Sequence, residues 1–478
     1  MASRKTLNAK NLEALGAPRL AELLLEISSG DAAAKRHLRL ALADALGPAE
    51  VAAEVRKRLT TISKSRSFVD WHKKDALLKD LDAQVDAITD RVAPVDPAQG
   101  LDLLWRFMGL AGSLYERCDD SNGRLGDLFH YALTRLGPIA QAAEPAPEAL
   151  ADRAYDALVA NDYGQYDGLV EVLAPALGEH GLSHLKERMI ELSNTPVQRP
   201  PDAERKVIAY GMGGPIYADE MAERSRRSTV QLALKAIADA QGDVDAYIAQ
   251  YDEATRKIPR IAADIAQRLI EAGRAQEALV TIEAAEHDNG GWNWPVFEWE
   301  DARIAALEAV GRDDDAQAAR WAVFERALSV PHLKAYLKRL DDDLDAEEQA
   351  LDQALRHPSV LQALSLLINW PDLDRAARLV IERADKLDGN AYYILSPAAE
   401  ALASRSPLAA TLALRAMIDF TLEDARSKRY KHAARHLEQC ARLASAIDDY
   451  RSFESHEDYD ARIRDKHRRK PSFYRLIQ

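Results

Sequence analysis

His432, His436 and Cys440 stand at i, i+4 and i+8, and histidines one helical turn apart can share a metal ion. The cysteine cannot join them. At ~1.5 Å of rise per residue the first and last side chains start ~12 Å apart, beyond the reach of one ion. Cys440 also continues the apolar stripe Ala433, Leu437, Ala444 and Ile447, as a buried free thiol does. Asp119-Asp-Ser-Asn-Gly123 imitates a calcium loop, but its glycine is displaced and no glutamate occupies the bidentate position. It reads as an Asx-rich turn between helices. Gly211-Met-Gly-Gly-Pro215 is the one glycine-rich loop. The stretch before it, Val207-Ile-Ala-Tyr210, is short for a core strand and no Lys-Ser/Thr follows. The expectation is a turn between helices, not a phosphate cradle. Gly-x-Ser-x-Gly, His-Glu-x-x-His and Walker-type signatures are absent. The six acids from Asp341 to Glu348 suit a solvated helix start. No catalytic residue, cofactor or metal is expected.

Binding is better represented than catalysis. Trp292, Trp294 and Trp299 are three of the seven tryptophans within eight residues, beside Gly290-Gly291, Pro295 and Phe297. Tryptophan dominates many binding hot spots, so these three are candidate apolar anchors for a partner. The competing reading is that they plug the gap beside an atypical inter-repeat loop. Between Arg462 and Gln478 seven Arg or Lys face a single Asp, while the whole chain carries −14. A net acidic chain excludes a surface given over to a phosphate backbone. The basic tail itself, through Arg468, Arg469 and Lys470, is a candidate contact for nucleic acid or anionic lipid. It can equally dock on the acidic remainder of the chain, with Phe473, Tyr474, Leu476 and Ile477 as apolar anchors, and docking is the stronger expectation.

The elements that must position these residues are helices. Leu20, Leu23, Leu24 and Ile27 fall at i, i+3, i+4 and i+7 after Pro18, and Gly30-Asp31 stops one helix and caps the next. Leu38, Ala41, Leu42 and Ala45 repeat the spacing, closed by Gly47-Pro48. Leu78, Leu81, Val85, Ile88 and Val92 form a narrow seam before Pro94 and Pro97, and Leu101, Leu104, Trp105, Met108 and Leu114 form another buried face. Short connections make neighbouring helices antiparallel hairpins. Gln141–Pro147 and Ser193–Pro201 are rich in proline and lack an apolar stripe. They divide the chain into an N-terminal helical domain (1–145), a helical connector (146–198), a repeat domain (199–461) and the basic tail (462–478).

Leu269-Ile-Glu-Ala-Gly-Arg-Ala-Gln-Glu-Ala278 recurs as Leu307-Glu-Ala-Val-Gly-Arg-Asp-Asp-Asp-Ala316, with Gly273 and Gly311 38 residues apart. The pattern reads as helix, tight glycine turn, helix, with a small alanine where the two must approach. Trp370-Pro-Asp-Leu-Asp-Arg-Ala376 is a looser copy. These segments resemble tetratricopeptide repeats over about a third of the chain, with no copy complete. Asn11-Leu-Glu-Ala-Leu-Gly-Ala-Pro-Arg-Leu20, Pro397-Ala-Ala-Glu400, Pro407-Leu-Ala-Ala-Thr-Leu-Ala-Leu-Arg-Ala-Met417 and Tyr430-Lys-His-Ala-Ala-Arg-His-Leu437 resemble a bacterial all-helical family of unknown function. That family is related to the helical regions of some SWIM zinc-finger proteins. The resemblance implies no activity and brings no site residues, since the Cys/His set of the finger is absent.

The expected fold is therefore all-α, a tetratricopeptide- or HEAT-like solenoid of helical hairpins in two or three blocks. Two cysteines in 478 residues exclude a disulfide framework and fit a reducing compartment. Neither a leader nor a membrane-spanning run is legible. The expected function is a non-catalytic cytoplasmic scaffold binding a protein or peptide. The alternative is a nucleic-acid-associated regulator that uses the basic tail.

Overall fold

The computed structural model describes residues 7–196, 199–285, 296–340 and 343–477, without the side chains of Trp71 and His72. Almost every element among them is helical, as the 3.6-residue periodicity predicts. The chain divides into two compact units, Met1–Tyr251 and Asp252–Gln478.

In the first unit the seam of Leu78, Leu81, Val85, Ile88 and Val92 is fully buried along helix Trp71–Ala87 and the π-helical turn Ile88–Val92. Helix Pro97–Met108, capped by the Asp96 carboxylate on the Gln99 amide, buries Leu101, Leu104, Trp105 and Met108 against it. The same core runs on through Leu150, Ala154, Leu173 and Met189 to Ala233 and Ile237 of helix Ala218–Ala240. Helices Pro147–Val159 and Leu169–Asn194 thus pack into the core built by the N-terminal helices. Gly137 permits the closest approach there: a Cβ on it would stand 2.5 Å from the Val172 carbonyl oxygen.

The Asp119–Gly123 turn is closed by a side chain from another helix. Lys74, buried on Trp71–Ala87, donates to the Asp119 carbonyl at 2.5 Å, to Asp120 at 3.0 Å and to Asn122 at 2.7 Å. Asp120 also accepts from the Leu125 and Gly126 amides. Burial opposes its charge, but the two amides and the ammonium prevail and hold its carboxyl below the usual range.

Two expectations for this unit need correction. Helix Ala32–Leu46 buries Ala43, with Leu40 beside it, against the following helix Pro48–Lys64, and turns Ala41, Leu42 and Ala45 outward. The expected stripe is on the opposite side from the contact, where no described element covers it. The Gly211–Pro215 segment is not a turn between helices. Val207–Gly211 and Gly214–Tyr217 pair as a two-stranded antiparallel hairpin with Met212 and Gly213 at its tip. Gly214, at φ +112°, supplies a backbone conformation that side-chain-bearing residues rarely adopt.

In the second unit each helix packs on the next and often on the next but one, the connectivity of stacked hairpins. Helices Pro259–Glu271 and Ala275–Glu283 meet at Gly273, and Phe297–Ala309 and Asp313–Ala327 meet at Gly311. Both glycines are left-handed, at φ +74° and +77°. Each turn is locked by the following arginine amide bonding five residues back, Arg274 to Leu269 at 2.7 Å and Arg312 to Leu307 at 2.8 Å. Ala278, Ala316 and Ala376 are fully buried, as close helix approach requires.

Candidate functional site

The sequence-derived anchors meet different fates. Trp292 and Trp294 lie outside the described residues. Trp299 is only 9% exposed. Its indole N–H donates to the Ile282 carbonyl at 3.1 Å, which ties helix Phe297–Ala309 to Ala275–Glu283. This tryptophan is spent inside the repeat, and its surface is not offered to a partner.

The basic tail begins inside a helix. Arg462, Arg464 and Lys466 belong to His456–Lys466 and pair with Glu454, Asp460 and Glu423 at 2.9, 2.6 and 2.5 Å. Beyond it the chain folds back. Phe473 is completely buried, its ring edge-on to Tyr430 at 5.8 Å, and the Tyr474 hydroxyl donates to the Arg464 carbonyl. Ile477 packs on the same core, while Leu476 stays exposed. The tail thus docks on its own unit. Arg468, Arg469, Lys470 and Arg475 are left with no ion pair among the described residues.

A surface the sequence reading did not single out lies at the other end of the chain. On helix Ala17–Ser28, Leu24, Leu25 and Ile27 are 48%, 71% and 70% exposed; on Ala32–Leu46, Leu42 and Leu46 are 67% and 77% exposed. Lys35 and Arg39 precede Leu42 and Leu46 at helical spacing, so one exposed face runs from cationic to apolar. Beside it a groove of about 270 Å³ is lined by Lys35, Arg36, Arg39, Lys57 and Arg58 against the single acid Glu54. Two of these cations are already paired with Asp80, Arg58 at 2.5 Å and Arg36 at 3.2 Å, and Lys57 pairs with Glu54 at 3.2 Å. Lys35 and Arg39 have no ion pair among the described residues. The signal was present in the sequence as two apolar stripes, but that no described helix covers them was not.

Among the described residues no group of three or more His, Cys, Asp or Glu converges as a metal site. Cys440 is fully buried, and burial pushes its thiol up to about 12. No described helix is long and apolar enough to cross a membrane.

The fold is that of an all-α protein of stacked helical hairpins, with an exposed apolar and basic face on its N-terminal helices. Its sequence matches the family of unknown function DUF6880 over residues 2–476, and the chain belongs to that family. Among solved structures it is similar to a circular tandem repeat protein with novel repeat topology and enhanced subunit contact surfaces. That match has 12% identity, covers 98% of this chain and 97% of the other, and has a TM-score of 0.13. At that score the likeness carries nothing about fold or function. No curated protein matches the chain.

Proposed function

We propose that this protein is a non-catalytic cytoplasmic scaffold that binds a protein or peptide on its helical surface. The observation that carries this reading is the pair of uncovered apolar stripes on Ala17–Ser28 and Ala32–Leu46 beside a basic groove. Helices at the end of an array ordinarily turn a polar face outward, and contiguous exposed apolar surface marks a contact site. The fitting partner is an amphipathic helix with an acidic flank. Its apolar side would cover Leu24, Ile27, Leu42 and Leu46, and its acids would meet Lys35, Arg39 and Lys57. The relation to helical regions of SWIM zinc-finger proteins belongs to the same proposal and adds no metal or nucleic-acid chemistry to it.

The test is recovery of partners from native extract by the full chain, by Leu42→Glu/Leu46→Glu and by Lys35→Glu/Arg39→Glu. All four positions are exposed, so both variants should fold. A partner held by the wild type and lost by both variants is expected. Retention by both variants would move the binding surface elsewhere. The second reading, a nucleic-acid-associated regulator, is favoured by Arg468, Arg469, Lys470 and Arg475, four cations with no ion pair among the described residues. It requires tail-dependent binding that weakens steeply with salt.

A further inference from the structure

His436 is 8% exposed, yet no hydrogen-bond partner reaches its ring among the described residues. The imidazole lines a cavity of about 460 Å³ bounded by helices Tyr392–Leu402, Pro407–Glu423 and Tyr430–Ala444. Burial, with Arg435 and His432 nearby, lowers its pKa to about 4. The ring is therefore neutral at physiological pH and presents one N–H donor and one acceptor. It stands on the wall of a cavity of ligand size.

The walls around it carry opposite charges. Arg435, Gln439 and Arg442 stand at i, i+4 and i+7 on Tyr430–Ala444 and all line the cavity. Arg442 already gives one nitrogen to Glu438, whereas Arg435 has no ion pair among the described residues and approaches His432 at 3.5 Å. Glu400 faces them from Tyr392–Leu402 and has no ion pair among the described residues. A simple anion would meet the Glu400 carboxylate, and a simple cation would meet two guanidiniums. A molecule bearing both charges meets complementary groups on each wall. We propose that this cavity binds a small zwitterion of the amino-acid class, its carboxylate on Arg435, its ammonium on Glu400 and a side-chain or backbone polar atom on His436. The site is independent of the N-terminal docking surface.

The experiment follows the His436 imidazole resonance of the full chain, assigned by its loss in His436→Gln. The common free amino acids and diglycine are added singly at millimolar concentration, with acetate and methylamine as single-charge controls. At least one zwitterion should shift the resonance saturably, more tightly than either control. Glu400→Gln and Arg435→Gln, both exposed positions that should not disturb folding, should each weaken that binding about tenfold, equivalent to ~1.4 kcal/mol. Leu42→Glu/Leu46→Glu should leave it unchanged, which separates this site from the scaffold surface. The proposal is overturned if no zwitterion moves the resonance, if a control binds as well as the best zwitterion, or if either charge-removing variant binds normally.

Discussion

Lys74 lies within hydrogen-bonding distance of three oxygens of the Asp119–Gly123 turn, so a turn that imitates a cation loop carries its own cation. Lys74→Met would leave the half-buried Asp120 with only its two amide bonds. Loss of one partner from such a pair costs about 3 kcal/mol, readable in urea unfolding. Because the fold holds the Asp120 carboxyl below its unfolded value, its contribution is present above about pH 4 and is lost as pH falls through the lower folded value. The variant should therefore lose less stability than the wild type on acidification in that range. His436 acts in a higher window. Its folded pKa of about 4 lies below the unfolded 6.5, so the unfolded chain takes up a proton that the folded ring refuses. Stability falls as pH drops from 6.5 toward 4, and His436→Asn should flatten that slope. His456 and His467 are lowered by burial in the same direction, so the flattening is partial. An unchanged slope would mean that His436 is protonated in the fold.

At the scale of elements, the glycine turns are where sequence and structure agree best. Gly273 and Gly311 are left-handed because a helix must stop and reverse within three residues, and only glycine adopts that conformation without strain. Replacing either with Ala should cost about 1–2 kcal/mol. The two losses should add, since the turns belong to separate hairpins. Ala278→Leu should cost about 1–3 kcal/mol by forcing the hairpin open, again measured by denaturant midpoint. These features were legible because turn chemistry and close packing are local demands. So was the seam from Leu78 to Val92, whose narrow spacing admits a single inward face. The face of Ala32–Leu46 was not legible, because periodicity says which residues are apolar together and not whether anything covers them. The hairpin at 207–217 was hidden by its brevity and by Pro215 within a strand. Trp299 was legible as an anchor, but whether its indole served a partner or the neighbouring repeat turned on the Ile282 carbonyl. Of the candidate sites, the cations at 468–470 were visible as charge. The cavity at His436 was not, since its walls come from three helices spread over about fifty residues of sequence.

At the scale of the whole chain, charge and tail decide between the two readings of function. The chain carries −14, and its basic C-terminus is held by Phe473 in the core and by Lys466 on Glu423. Truncation after Lys466 removes a fully buried aromatic ring. Phe473→Ala alone should cost about 3–5 kcal/mol, with a lower Tm and newly exposed apolar surface. Replacing Arg468, Arg469 and Lys470 with Gln changes only solvated or half-exposed charge and should alter stability by no more than about 0.5 kcal/mol. The two variants therefore separate docking from ligand binding within one segment. If nucleic acid is the partner, the Gln variant should lose affinity while keeping its Tm. In the wild type, the four cations without an ion pair among the described residues should then give log K a slope of about −4 or shallower against log salt. With the rest of the chain repelling phosphate, binding to random DNA or RNA should be weak at physiological salt. Tight binding there, abolished by the Gln variant with an unchanged Tm, would transfer the function from the N-terminal helices to the tail.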